Sequence, residues 1–183
     1  MIGWTIALVV AVFLLLAWPR LTGFRSQRPR DFAGKGPAFD PALHLNGPIL
    51  CEGVIYGPLG RVSSRFVAKM EGVWDGNRGT LREDFRYDDG SEQQREWRLV
   101  LQPDGRLQAE ADDLAGAGAG QVSGPTVQML YRLRLPASAG GHVVSVVDWM
   151  VLMENGSIIN RSRFYKFGIP VAELMATLRR VPA

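Results

Sequence analysis

Hydrophobic and polar residues alternate along most of the chain from about Ile49 onward. A period of two is typical of β-strands that bury one face. Short clusters of Gly, Pro, Asn and Asp, which favour tight turns, separate the alternating segments. The clearest clusters lie at residues 57–60, 75–77, 88–90, 103–105 and 155–156. We therefore predict an all-β fold, an antiparallel meander that closes into a barrel because closure removes exposed strand edges.

Residues 2–18 form an almost wholly apolar segment, about the minimum length for a helix that crosses a hydrocarbon core. We predict a transmembrane anchor over residues 1–21, and Trp4 and Trp18 fit the aromatic belt at its two interfaces. A cleaved signal peptide is the alternative. The segment has neither the basic start nor the small-x-small cleavage site that such a peptide needs.

The next segment, residues 22–41, is rich in Pro, Gly and Arg without a clear period, which is typical of a linker. The barrel domain then occupies residues 42–183. Cations are concentrated just after the apolar segment, at Arg20, Arg25, Arg28, Arg30 and Lys35. The positive-inside rule places the barrel of this single-pass protein on the cytoplasmic face of the membrane. The same cations also suit contacts to anionic headgroups.

Two charged residues of the hairpin at residues 79–101 have the parity of its buried face. Glu83 shares the parity of Phe85 in the first strand, and Arg95 shares that of Trp97 in the second. We therefore predict that Glu83 and Arg95 lie on the same side of the sheet, within salt-bridge reach.

Neighbouring strands add further polar residues to the predicted interior. Asp113 continues the inner parity of the strand before it, and Asp148 lies in a strand with little polar surface. Neither face of the following strand is wholly polar, which makes Asn160 and Arg161 candidates as well. An isolated charge inside a barrel costs several kcal/mol, so these groups are expected to be paired, hydrogen-bonded or wet.

Two interpretations of this interior set stay open. One is a structural ion-pair network, with Glu83 and Arg95 paired and Asp148 and Arg161 beside them. The other is a ligand cavity whose few polar groups hold one part of an otherwise apolar molecule. The second interpretation assigns ligand binding to Glu83, Tyr87, Arg95, Trp97, Asp113, Tyr131, Asp148, Asn160 and Arg161.

Two segments fit the alternation less well. The run LAGAGAG at residues 114–120 has little side chain to bury and predicts a flexible loop at the barrel mouth. The stretch PVAELMATLRRV at residues 170–181 fits both helical and strand spacing. We favour a strand, because a barrel needs its last edge covered.

Composition adds little evidence for chemistry. The chain has two histidines and one cysteine, Cys51, which reads as a small apolar residue near a strand start. No nucleophile elbow, P-loop or metal-spaced His and Cys set is present, so we expect no catalytic residue, metal or cofactor. The basic residues are unevenly placed, so the pI of about 9.3 is no argument for nucleic-acid binding.

A set of short motifs occurs in order from about Phe39 to the C-terminus: residues 72–76 (GVWDG), 83–90 (EDFRYDDG), 95–97 (REW), 111–113 (ADD), 148–150 (DWM), 160–161 (NR) and 166–168 (KFG). Together these motifs resemble an uncharacterised bacterial family catalogued as domain of unknown function 3833. The resemblance implies a lipocalin-like barrel, export to the periplasm as a lipoprotein, and genes beside fatty-acid-modifying enzymes of the cyclopropane synthase type. It brings no activity, substrate or catalytic residue.

This chain departs from the lipoprotein pattern because no cysteine closely follows the apolar segment. The charge rule favours the cytoplasmic face of the bacterial inner membrane and the resemblance favours the periplasm, so the side stays open. Our leading hypothesis is a membrane-anchored lipocalin-like barrel that binds or presents a lipid or fatty-acyl molecule. The alternative is an accessory enzyme in membrane fatty-acid modification, or an assembly partner of a lipid-modifying enzyme.

Overall fold

Antiparallel strands pair in the order of the chain, and the first pairs with the last. The computed structural model describes residues 4–6 and 23–181. The final strand lies beside the first, with Cys51 opposite Leu178, and this contact closes a barrel of ten strands. The strands are β1 (Gly47–Tyr56), β2 (Val62–Asp75), β3 (Arg78–Tyr87), β4 (Glu92–Leu101), β5 (Arg106–Glu110), β6 (Gly118–Ser123), β7 (Thr126–Arg134), β8 (Val143–Leu152), β9 (Ile158–Lys166) and β10 (Ile169–Arg180). The all-β antiparallel barrel and the C-terminal strand are confirmed.

The alternation in the sequence becomes an alternation of burial in the strands. In β2, Phe66, Ala68 and Met70 are buried while their neighbours Val67 and Lys69 are exposed. Each apolar side chain removed from water contributes roughly 25 cal/mol per Å² of buried surface, so the inner face fixes the register of every strand. Outward positions are free to carry charge.

A short helix, Pro41–His44, closes one end of the barrel. It begins with Asp40, whose carboxylate accepts a hydrogen bond from the backbone of the first turn. Leu45 follows the helix and is almost fully buried, and its carbonyl accepts a hydrogen bond of 3.1 Å from the Trp74 indole. Gly72 lies against that carbonyl, and any side chain at this position would collide with it. We call this the closed end, and the opposite end is the mouth.

Residues 23–40, most of the segment predicted to be a linker, pack along the outer wall of the barrel. Phe24 is buried, and the guanidinium groups of Arg161 and Arg163 each lie 5.0 Å from its ring centroid. Further along, Phe32 packs on Trp149 with ring centroids 5.4 Å apart. Two 3₁₀ helices, Phe24–Ser26 and Pro29–Phe32, shape this segment. It covers an outward face of β8 and β9 that would otherwise expose aromatic surface.

Replacing Phe24 by alanine is expected to release this segment without unfolding the barrel, since the Phe24 ring packs on the outside of the closed sheet. Limited trypsin digestion then cleaves faster after Arg25 and Arg30, while the melting temperature of the barrel changes little. Phe167→Ala is the matched control, because Phe167 is exposed. Equal cleavage rates in the two variants and wild type would contradict the packing role of Phe24.

One loop prediction is wrong in part. Residues 118–120 of the run LAGAGAG belong to β6, which pairs with β5 and β7. Gly118 and Gly120 face inward, where a Cβ would press on Tyr131 and Met129. Glycine is therefore used here to make room for larger neighbours, although glycine otherwise disfavours strands.

The predicted transmembrane anchor lies almost wholly outside the described residues; of that segment only residues 4–6 are described, and they are helical. Within the described part of the chain, no helix is long and apolar enough to span a bilayer.

Candidate functional site

A cavity of about 740 Å³ runs along the barrel axis from the closed end to the mouth. Its floor is apolar and includes Leu45, Met70 and Leu178, and its upper wall includes Phe85 and Phe164. Polar side chains form a belt at about half height. The volume lies within the range of about 300–1,000 Å³ that small-molecule sites occupy, and an apolar wall with few polar groups is their usual composition.

Arg95 is the cation of this belt. Its guanidinium donates to Asp113, with Nε 2.8 Å from Oδ2, and its other edge lies 3.9 Å from Glu83 Oε2. Arg95 also lies over the Trp97 ring, 5.5 Å from the centroid. Glu83 is directly opposite Arg95 in the register of β3 and β4. The side chains of Glu83, Arg95, Trp97 and Asp113 all line the cavity. The predicted Glu83–Arg95 contact is confirmed, but the closer partner of Arg95 is Asp113.

A second carboxylate cluster lies on β8 and β9. Asp148 Oδ1 accepts hydrogen bonds from Asn160 Nδ2 at 2.5 Å and from Ser162 Oγ at 2.9 Å. These neutral donors replace part of the hydration that the carboxylate loses on burial. Neutral donors thus hold Asp148 in place, while Arg161 and Arg163 of β9 pair with Glu173 on the outer face.

Aromatic side chains complete the belt. Trp97 and Tyr131 meet edge to face with ring centroids 5.2 Å apart, a favourable aromatic geometry. Nearer the mouth, the Tyr87 hydroxyl donates to Gln93 at 3.2 Å. Phe85 stacks on the Tyr87 ring, so the upper cavity offers flat apolar surface beside single polar atoms.

Burial alters the protonation of the belt. It raises the pKa of Glu83 to about 7, against the opposing effect of Arg95. It raises the pKa of Asp148 to about 6, although the hydrogen bonds from Ser162 and Asn160 act against this. The pKa of Tyr131 lies well above its ordinary value for the same reason. One cation therefore faces three carboxyl groups, and burial favours partial protonation of two of them, Glu83 and Asp148, near neutral pH.

The wall beside Arg95 is thinner than elsewhere. β5 is short and pairs with β4 only between Arg98 and Leu101. A polar recess of about 480 Å³ lies against this part of the wall and touches both inward and outward residues, including Glu83 and Asp113. The Arg95–Asp113 pair thus spans a gap in the backbone ladder.

Eight of the nine residues predicted for ligand binding line the cavity: Glu83, Tyr87, Arg95, Trp97, Asp113, Tyr131, Asp148 and Asn160. The placement of Arg161 in the interior is wrong. It lies on the outer face of β9, where its Nε donates to Glu173 at 2.7 Å and its guanidinium covers Phe24. The outer face of this strand is not wholly polar in sequence, because Ile159 and Tyr165 lie there beneath the N-terminal segment.

Sequence reasoning missed two polar residues that hydrogen-bond to side chains of the predicted site. Ser162 is buried and donates to Asp148, and Gln93 accepts from Tyr87. Ser162 could have been placed inward from the sequence because it has the same parity as Asn160. Gln93 could have been placed inward because it has the same parity as Arg95.

The fold of the described strands is similar to that of two proteins of known structure. A crystal structure of Rv2717c from M. tuberculosis superposes with a TM-score of 0.56 at 16% identity and covers 79% of this chain and 99% of that one. The S-type phycobiliprotein lyase CPES from Guillardia theta superposes with a TM-score of 0.53 at 6% identity, covering 76% and 90% of the two chains. At such identities the likeness shows the lipocalin-like fold alone.

Among curated proteins, none matches the chain significantly. A family model described as "Protein of unknown function (DUF3833)" matches residues 19–180. That span includes both the outer N-terminal segment and all ten strands. The chain therefore belongs to the DUF3833 family.

Proposed function

We propose that the barrel binds a lipid or fatty-acyl molecule within its central cavity. The single observation that carries the proposal is a cavity of about 740 Å³, apolar at its floor and upper wall, with a polar belt between them. Such a space fits a molecule with a long apolar part and a polar group set within it, because each part meets a matching wall.

The charge of the belt limits the polar group of the ligand. Arg95 is already paired with Asp113, and Glu83 and Asp148 present two further carboxyl groups. A phosphate or an ionised fatty acid would meet net negative charge in a low-dielectric space, which is unfavourable. An ester, amide, hydroxyl or protonated carboxyl group is the better match. We therefore favour a neutral acyl lipid over an anionic one.

Membrane anchoring through residues 1–21 is part of the proposal. An anchor would keep the barrel beside a bilayer, which is the source of such ligands. The support is the apolar composition of residues 2–18.

Native mass spectrometry of the full chain released from detergent, followed by organic extraction, tests the proposal. We expect a bound apolar molecule in wild type and its loss in Ala172→Trp, which fills the upper cavity. Ala119→Trp is the matched control, because Ala119 is exposed on the outer face of β6.

Added monoacylglycerol is expected to stabilise wild type and Ala119→Trp by mass action, by about 2.7 kcal/mol at a hundredfold excess over Kd. Ala172→Trp is expected to show no such shift. The proposal is wrong if wild type carries no extractable apolar molecule and its melting temperature does not respond to the added lipid.

A further inference from the structure

Exposed apolar side chains are concentrated at one side of the barrel mouth. The tip of the β1–β2 turn carries Leu59 and Val62, and the tip of the β9–β10 turn carries Phe167 and Ile169. Because β10 lies between β9 and β1 in the sheet, the two turns are neighbours. We call these four residues the apolar rim. Phe167 is 94% exposed and Leu59 is 89% exposed, so they are among the least buried apolar residues of the described chain.

Phe167 is unusual in its backbone conformation as well as in its exposure to solvent. Its φ is 52°, in the left-handed region, and Gly168 follows with a φ of 78°. Two-residue hairpin turns with two positive φ angles favour Asn-Gly, since a large side chain is strained at the first position. A strained, exposed phenylalanine is poorly explained by folding, and such outliers point to function.

Two cations flank the apolar rim. Arg61 is exposed next to Val62, and Lys166 precedes Phe167. The carboxylates at the mouth lie toward the β3–β4 turn, where Asp88 is paired with Arg65 and Asp89 accepts from Ser91. Apolar tips flanked by cations are the composition that binds the interface of an anionic bilayer.

The outer N-terminal segment begins near the mouth of the barrel, the end that carries the apolar rim. Arg25 lies over the Tyr165 ring at 4.7 Å, and Tyr165 is next to the mouth-side end of β9. From there the chain runs toward the closed end, where the Phe39 backbone donates to Gly124. Four residues lie between Trp18 and Gly23, so the Cα atoms of these two residues are at most about 18 Å apart. An anchor formed by residues 2–18 therefore leaves the barrel on the side of its mouth.

We propose that the barrel lies mouth-down on an anionic lipid bilayer, with the apolar rim inserted into the interface. The ligand then passes between the bilayer and the cavity without crossing water. This orientation extends the proposed function and rests on it, since the orientation serves the transfer of the bound lipid. The contact with the bilayer can be measured separately from lipid binding.

The test uses the full chain reconstituted in vesicles of phosphatidylcholine and phosphatidylglycerol. A fluorescent label is placed at Leu59→Cys on the rim, and at Glu154→Cys in the exposed β8–β9 turn of the closed end as the matched control. The native Cys51 stays unlabelled because it is buried and its thiol pKa is raised to about 12 by that burial. We expect nitroxide lipids to quench the label at position 59 at a depth of about 5–10 Å, and to leave the label at position 154 unquenched.

Phe167→Asn in the Leu59→Cys background separates docking from folding. We expect the thermal stability in detergent to be kept or increased, since asparagine suits the turn. We expect the ratio of docked to undocked barrels to fall about tenfold, because an aromatic side chain no longer inserts into lipid. Vesicles without phosphatidylglycerol are expected to give weaker quenching.

Equal quenching at positions 59 and 154 would overturn the orientation. Absence of quenching at both positions would overturn it as well, and that result is expected if a protein covers the rim. A ligand found by mass spectrometry together with an unquenched rim would overturn the docking alone. A quenched rim together with an empty cavity would support the docking and contradict the proposed function.

Discussion

Replacing Arg95 by methionine is expected to cause the largest loss of stability in the barrel, about 3–5 kcal/mol at pH 8, the cost typical of removing one partner from a buried ion pair. Arg95 contacts Asp113 at 2.7 Å and Glu83 at 3.9 Å. Methionine fills much of the same space but leaves both carboxyl groups without a cation. The free energy of unfolding, measured by denaturant titration of the full chain in detergent, checks the prediction.

The loss should shrink as the pH falls. Without Arg95 the folded-state pKa of Glu83 rises further, so its ionised form becomes more costly above the pKa that it has in the unfolded chain. Protonation at pH 5 relieves part of this cost. Arg98→Met is the matched control on the same strand, since Arg98 pairs with the exposed Asp112 and surface pairs contribute at most about 1 kcal/mol. A loss that is equal for the two variants, or independent of pH, would contradict the role of Arg95.

Wild-type protein is expected to be less stable at pH 8 than at pH 5, and Glu83→Gln to remove most of the difference. Burial raises the folded pKa of Glu83 from 4.5 to about 7. Below the unfolded pKa the group is protonated in both states and costs nothing. As the pH rises toward 7, ionisation favours the unfolded chain, and the penalty is complete above 7. That difference in pKa corresponds to on the order of 3 kcal/mol.

Glu83→Gln is therefore expected to be more stable than wild type at pH 8 and about equally stable at pH 5. Thermal unfolding between pH 5 and pH 8 measures this. Asp148 has a smaller effect of the same sign, since its folded pKa is raised to about 6. Asp84→Asn is the matched control, because Asp84 is the next residue along β3 and is exposed on the outer face. A wild-type stability that rises from pH 5 to pH 8 would show that Glu83 is not held in its protonated form.

The ionisation of the belt also links stability to ligand choice. A protonated Glu83 can donate a hydrogen bond to an ester or amide oxygen, whereas an ionised Glu83 can only accept. A neutral acyl lipid that accepts this hydrogen bond stabilises the fold most at pH 5, so it should raise the folded pKa of Glu83 further and enlarge the loss of stability between pH 5 and pH 8. An anionic lipid would increase this loss as well, because the negative charge in the belt would rise.

Local sequence pattern predicted most of the candidate site. Glu83, Arg95, Asp113 and Asp148 were placed inward because side chains alternate strictly along a strand, and parity needs no knowledge of distant contacts. The pattern also predicted the final strand at residues 170–181. It did not predict which carboxylate pairs with Arg95, since Asp113 reaches it across a gap between strands.

The sequence by itself determined the all-β class, the hairpin turns and the inward charges, because these depend on neighbours a few residues apart. Only the tertiary structure decided that Arg161 lies on the outer face, where it packs against the Phe24 ring. It also decided that Gly118 and Gly120 belong to a strand, beside Tyr131 and Met129. It also decided which end is closed, through Leu45, and how far burial raises the pKa of Glu83. These features depend on packing between residues far apart in the chain, and a period along the sequence carries no information about such contacts.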